Sequence, residues 1–269
     1  MGEQVRIIDR IDTSPRYTEA DAVRLNNMFR GRDTVEMLTV LLKENMLLPE
    51  RGQLGPVAVG LGPDVSSFGA ESAVLLHLIA SIDPTVPVLF LDTGKHFPET
   101  ISYREELQDL IGFTDLRNLT PDPALLAEKD GTGLRWSYDP DGCCEIRKVL
   151  PLKKALAGFD AQFTGRKAFQ SSTRKALPRF EIEEGRLKVN PLADWDKTRL
   201  DAYMADHVLP PHPLVEQGYP SIGCSPCTTK VAPGEDPRSG RWKGWDKVEC
   251  GIHSDVSTLD DGGANDPIF

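Results

Sequence analysis

Two groups of cysteines, Cys143-Cys144 and Cys224-x-x-Cys227, constrain this 269-residue chain more than any other feature. If they serve one centre, the fold must carry two distant stretches to one point. Adjacent cysteines have Cα atoms about 3.8 Å apart, so both can reach one polynuclear centre. Zinc knuckles more often use C-x-x-C on both sides. The spacing therefore favours a four-thiolate iron–sulfur cluster over zinc, with disulfide pairing as a third alternative that a reducing compartment disfavours. Arg147 and Lys148 follow the first pair. On a helix, Lys148 lies four residues from Cys144 on the same face. There its charge would offset a cluster or meet an anionic substrate; the plainer alternative is an ordinary exposed lysine.

The rest of the chain is that of a globular α/β protein. Its length suffices for one full core or two small ones. A net charge of −10 argues against general nucleic-acid binding, which needs a basic surface. No apolar run approaches the roughly 20 residues that span a bilayer. Met1 to Tyr17 mixes both charges without an apolar signal core, so a cytoplasmic location is expected. A homo-oligomer is also expected.

Periodicity predicts a helix over 34–46, with Val35, Leu38, Leu41 and Leu42 on one face. It predicts strands at 57–59, 86–91, 113–119 and 159–163, and an extended piece at 188–192. Further helices are predicted at 73–80, from Pro98 to about 110, over 143–157 with an interruption near Pro151, and over 197–207. Alternating strands and helices imply a doubly wound, mostly parallel sheet. Residues 1–33 read as an N-terminal segment and 34–232 as the α/β domain. From Pro233 the chain is rich in Gly, Pro and charge, so 233–269 reads as a flexible C-terminal arm carrying Cys250.

Three strand ends carry anion-binding chemistry. Ser66-Ser67-Phe68-Gly69-Ala70-Glu71-Ser72 puts hydroxyls and backbone N–H groups at a helix start. It is not a Walker A loop, since no Gly-Lys-Ser/Thr follows. Leu91-Asp92-Thr93-Gly94 ends the next strand, on the sheet edge where open α/β folds bind ligands. Thr164-Gly165-Arg166-Lys167, followed by Gln170-Ser171-Ser172-Thr173-Arg174, supplies cations suited to phosphate or sulfate.

Cys250 has no partner if the other four cysteines are ligands. A free cysteine is usually a small buried hydrophobe, yet Glu249-Cys250-Gly251-Ile252-His253 is polar and Gly-flanked. An unperturbed thiol is only a few per cent thiolate at neutral pH, so a nucleophile here needs nearby positive charge. Arg238, Arg241, Lys243, Lys247 and His253 are within reach in sequence, and His253 is either a base or a supporting residue. With no second free thiol to resolve an adduct, an external dithiol such as thioredoxin would be needed.

These residues resemble the assimilatory adenylyl-sulfate (APS) reductases of the APS/PAPS reductase family, over roughly residues 34 to 253. Ser66 to Ala70 is similar to the family's modified pyrophosphate loop, within an adenine nucleotide alpha hydrolase-like fold. Leu91 to Gly94 with Phe97-Pro98-Glu99-Thr100 resembles its second signature, and Thr164-Gly165-Arg166 with Gln170-Ser171 and Thr173-Arg174 its third. Arg238-Ser239-Gly240-Arg241-Trp242 ahead of Glu249 to His253 completes the pattern. The resemblance implies APS bound over Ser66, Ser67, Phe68, Gly69, Leu91, Asp92, Thr93, Gly165, Arg166 and Arg174. It implies sulfate facing Lys148, Arg238 and Arg241, with Cys250 as nucleophile. It implies a 4Fe–4S cluster on Cys143, Cys144, Cys224 and Cys227, and thioredoxin as reductant. Relatives acting on PAPS without a cluster lack the two cysteine pairs, which tilts this chain to APS, with PAPS or dual use as the alternative. One departure is Gly60-Leu61-Gly62-Pro63-Asp64, where a strand running straight into the loop is expected.

Two other readings compete. An iron–sulfur tRNA thiolation enzyme would keep a Ser-Gly-Gly-x-Asp-Ser loop, but Phe68 and Glu71 replace the diagnostic Gly and Asp. A zinc-binding interaction protein would leave Cys250 and the three strand ends unexplained.

Overall fold

The computed structural model describes residues 17–43, 47–48, 52–53, 57–60, 68–157, 159–170, 176–247 and 251–253. Its strands are β1 (Leu47–Leu48), β2 (Gly52–Gln53), β3 (Val57–Gly60), β4 (Val88–Leu91), β5 (Leu116–Leu119), β6 (Ala161–Phe163), β7 (Phe180–Glu183) and β8 (Arg186–Val189). Strands β1 and β2 form a separate antiparallel pair. The main sheet has the order β5-β4-β3-β6-β8-β7 and is parallel except for the edge strand β7. From β3 the chain winds outward through β4 to β5, then returns to place β6 on the other side of β3. The strand order therefore reverses between β3 and β6, where the carboxyl ends of parallel strands leave a ligand crevice.

Local chemistry sets the helix boundaries. Helix α1 is Glu19–Met28 and α2 is Thr34–Leu42, the latter capped by Asp33, whose carboxylate accepts from the Val35 N–H at 2.8 Å. Helix α3 (Ser72–Ala80) follows the Phe68–Glu71 turn. Helix α4 (Pro98–Ile111) begins on proline, whose missing N–H costs nothing in a first turn, and stops at left-handed Gly112. Helices α5 (Pro123–Lys129), α6 (Pro140–Cys144), α7 (Leu150–Leu156), α8 (Lys197–Asp206) and α9 (Pro213–Glu216) complete the set among the described residues.

The sheet is covered on both faces, so β4 is buried at every residue. Val88 and Phe90 point into the larger core, with Leu25, Phe29, Met37, Leu38, Leu75, Tyr103 and Leu200. Leu89 and Leu91 point the other way, into a smaller cluster with Cys144, Leu152, Leu156, Trp242 and Ile252. This second layer carries the cysteines. Helix α1, within the stretch assigned by sequence to the N-terminal segment, packs into the larger core; Phe29 stacks on Phe180 at 5.6 Å. Asn26 donates to the Phe180 carbonyl (2.6 Å) and accepts from its N–H (3.1 Å), closing one end of β7.

Two features differ from the sequence pattern. Phe180-Glu181-Ile182-Glu183 is an extra strand, hairpinned to β8 through Glu184-Gly185, both at positive φ. The expected break near Pro151 is a π-helical turn over Glu145–Val149 that joins α6 to α7 without interruption. The Leu150 N–H reaches five residues back to the Glu145 carbonyl, and Pro151 has no N–H to offer the Arg147 carbonyl. Turns occupy 233–247, and Arg241 and Trp242 within them are buried.

Candidate functional site

Cys143, Cys144, Cys224 and Cys227 line one small cavity together with Lys95, Trp136, Arg147, Lys148, Arg241 and Trp242. None of the four is in a disulfide. The first pair sits at the end of α6, where the Asp139 side chain caps the helix through the Gly142 N–H at 2.8 Å. The second pair lies on a short turn in which the Cys227 N–H donates to the Cys224 carbonyl at 3.0 Å. The Thr228 hydroxyl braces this turn, donating to the same carbonyl at 2.9 Å. Burial raises the Cys143 thiol above its ordinary value, against the pull of Arg147. Burial and the neighbouring Cys224 push Cys227 to about 11. Left to themselves, Cys143 and Cys227 stay protonated at neutral pH, so an electropositive occupant would be needed to make them thiolates. Among the described residues, no three His, Cys, Asp or Glu side chains are grouped so as to hold a single metal ion.

The π turn explains how cations reach this cavity. Widening the helix lets Ile146, Arg147 and Lys148 be buried consecutively. Arg147 forms an ion pair with Asp130 at 2.6 Å and donates to the Thr93 carbonyl at 2.8 Å. The Thr93 hydroxyl lies 3.2 Å from Cys224 Sγ. The Lys95 carbonyl accepts from the Ser225 N–H at 2.8 Å, and Lys95 Nζ donates to the Gly133 carbonyl at 2.6 Å. The turn after β4 is thus fastened to both cysteine pairs. Residues 238–242 close another side. The Trp242 N–H donates to the Cys227 carbonyl at 3.1 Å, and Arg241 bridges antiparallel to Thr228. Arg241 packs across Gly223, where any Cβ would collide with its guanidinium. Ile252, two residues after Cys250, is buried in the cluster that contains Cys144 and Trp242.

The other strand ends are tied across the sheet. Phe68 has positive φ and a fully buried ring against Phe90 (5.4 Å) and Phe113 (6.4 Å). What remains of it for a ligand is its backbone. The Gly69 carbonyl accepts from the Ser72 hydroxyl at 2.7 Å. Leu91 is buried, and its carbonyl meets His96 Nε2 at 2.9 Å. Asp92 accepts from the Gly94 N–H at 3.0 Å. After β6, Gly165 is half-buried, Arg166 pairs with Glu181 and bonds Asn190, and Lys167 pairs with Glu71 at 2.7 Å.

A sequence profile described as the phosphoadenosine phosphosulfate reductase domain matches residues 65–230, which span the first strand-end loop, the turn after β4, the β6 end and both cysteine pairs. The chain belongs to this family. It is 56% identical over 189 residues to an adenosine 5′-phosphosulfate reductase of Mesorhizobium japonicum, covering 70% of this chain and 74% of that protein. It is 44% identical over 188 residues to one of Rhodococcus opacus (68% and 75%) and 46% over 195 to one of Mycobacterium tuberculosis (71% and 76%). Among solved structures, a phosphoadenylyl-sulfate reductase from Candida auris, in a phosphate complex, aligns with TM-score 0.62 and 26% identity. It covers 81% of this chain and 100% of that one.

Within this family member, the structure brings Lys148 and Arg241 together with the four cysteines, beside Thr93. Arg238 is half-buried, its backbone N–H donates to Asp236, and it is not among the residues that line this cavity. Ser66, Ser67, Arg174, Cys250 and the His253 side chain lie outside the described residues. Sequence reasoning missed Asp130, Lys95 and His96. Burial, with the charge of Lys148 and Arg104 adding, pushes His96 down to about 4 despite its bond to the Leu91 carbonyl. The signal for Lys95 and His96 was their place in Asp92-Thr93-Gly94-Lys95-His96, inside a motif already singled out. Asp130 had no local signal. No helix among the described residues is long and apolar enough to cross a membrane.

Proposed function

We propose that this chain is an adenylyl-sulfate reductase of sulfate assimilation. It converts adenosine 5′-phosphosulfate to sulfite and AMP on the way to cysteine, in the cytoplasm. One observation carries the reading. Four cysteines and two buried cations, Lys148 and Arg241, converge beside the turn after β4 in a member of the sulfonucleotide reductase family. The names of the curated relatives supply the substrate.

The donor set suits a 4Fe–4S cluster better than a single zinc ion. An adjacent pair and a C-x-x-C line one cavity, and Arg147, Lys148 and Arg241 beside them would offset the charge of four thiolates on Cys143, Cys144, Cys224 and Cys227. When bound, the cluster would supply a fixed electrostatic element beside the substrate. The protein's residues do the rest. The loop at 66–72 and the turn at 91–94 bind the nucleotide. Lys148 and Arg241 orient the sulfate and stabilise charge moving onto the phosphate. Cys250, on the arm from 233 to 269, forms an Sγ–S bond as the S–O bond to AMP breaks, and the electron pair leaves on the AMP phosphate. A dithiol such as thioredoxin then attacks Cys250 Sγ and expels sulfite. Its second thiol resolves the mixed disulfide, so the dithiol is oxidised and the sulfonate sulfur reduced by two electrons. The test is anaerobic turnover with a reduced dithiol protein. Sulfite and AMP should appear in equal amounts, and AMP without sulfite would contradict the reading.

A further inference from the structure

We infer that Pro151 is a positioning residue, an inference whose consequence for turnover rests on the reductase reading above. By keeping the Glu145–Val149 turn wide, it sets the angle at which Lys148 meets the cysteine cavity while α7 stays packed on the sheet.

Cys144 shares the smaller apolar cluster with Leu152 and Leu156, farther along the same continuous helix. At about 100° per residue, a regular α-helix would set Leu152 roughly 80° and Leu156 roughly 120° away from Cys144. The bond from the Leu150 N–H back to the Glu145 carbonyl takes in one residue more than an α turn does. Removing that residue's phase brings Leu152 and Leu156 within roughly 20° of Cys144, one on either side. All three can then face Leu89 and Leu91, as the cluster requires. The widened stretch is the one that carries Arg147 and Lys148, both buried and both lining the space beside Cys143 and Cys144.

Pro151 opposes closure of this turn. In a regular α-helix its ring would clash with the Arg147 carbonyl, and it has no N–H for that carbonyl to accept. Alanine would remove the ring and supply the N–H. The excess phase is spread over the turn, so most of it lies between Cys144 and Lys148. Closing the turn therefore swings Lys148 against the cysteines, whichever end of the helix stays in place.

The test is a double-mutant cycle on kcat/KM for APS, in holoenzyme, with Pro151→Ala, Lys148→Ala and both together. Pro151→Ala should lower kcat/KM roughly tenfold alone and have almost no effect beside Lys148→Ala, a coupling of about 1.4 kcal/mol. Anaerobic acylation of lysines, mapped by mass spectrometry, should reach Lys148, 3% exposed in the wild type, faster in Pro151→Ala. Pro151→Ser supplies the same N–H and decides the matter where Pro151→Ala does not fold. Unchanged kcat/KM, or a loss that adds in full to that of Lys148→Ala, overturns the inference and leaves the reductase reading standing. Wild-type enzyme that turns over no APS overturns that reading. The acylation arm then stands alone, and Lys148 equally slow to react in both proteins overturns the inference as well.

Discussion

Asp130→Ala should be among the most destabilising single changes in this protein. The Asp130 side chain is 0% exposed and its partner Arg147 is 9% exposed. Burial alone would raise the Asp130 pKa. The Arg147 guanidinium, at 2.6 and 3.2 Å, and the Arg135 N–H, at 2.9 Å, instead hold it below the usual carboxylate range. Removing the carboxylate leaves a buried guanidinium with the Thr93 carbonyl as its neutral partner. Breaking a buried pair from one side costs about 3–5 kcal/mol. With a urea dependence of roughly 2–3 kcal/mol per molar, the unfolding midpoint should drop by about 1–2.5 M. Asp201→Ala is the internal control. It breaks the Lys197–Asp201 pair, whose side chains are 59% and 58% exposed, and should cost about 0–1 kcal/mol. Because the folded pKa of Asp130 is lowered, its contribution is present above the unfolded value and is lost as pH falls through the folded one. The gap between the two variants should therefore narrow in acid. An Asp130→Ala midpoint no lower than that of Asp201→Ala at neutral pH would refute the reasoning.

The remaining predictions concern the site and pH. Cys250→Ser should abolish turnover while the protein keeps its iron and brown colour; loss of iron in that variant would contradict the separation of nucleophile from ligands. Lys148→Ala should lower kcat/KM for APS by roughly 10- to 100-fold, as expected for loss of a charge-assisted hydrogen bond, with its unfolding midpoint changed far less than in Asp130→Ala. Unchanged kinetics would remove Lys148 from the site. His212, buried between Thr100 and the Leu214 N–H, has its pKa pushed down to about 4 by burial. The unfolded chain takes up a proton near pH 6.5 that the folded one refuses, so stability should fall by up to about 3 kcal/mol from pH 6.5 to 4. His212→Asn should flatten that slope, and an unaltered slope would contradict the assignment.

The fold was legible where one stretch of sequence carries the signal. Val88 to Leu91 is apolar without alternation because both faces of its strand are covered, and Pro98 with Gly112 brackets α4. The cysteine spacing alone foretold the convergence that the structure shows. Less legible were features made by partners remote in sequence. Asp130 sits in a loop with nothing near it to announce Arg147. Glu71 and Glu181 turn a cationic strand end into a balanced one. Lys148 reaches the cysteines, as its spacing suggested, but through a π turn whose cause is the proline after it.

The most direct test of the central claim is intact-protein mass spectrometry after anaerobic incubation with APS, and separately with PAPS, without any thiol. The account predicts a gain of one sulfonate group with APS, mapped to Cys250 and absent from Cys250→Ser. Cluster-loaded protein that releases AMP yet carries no adduct, or carries it on another residue, would contradict the covalent mechanism.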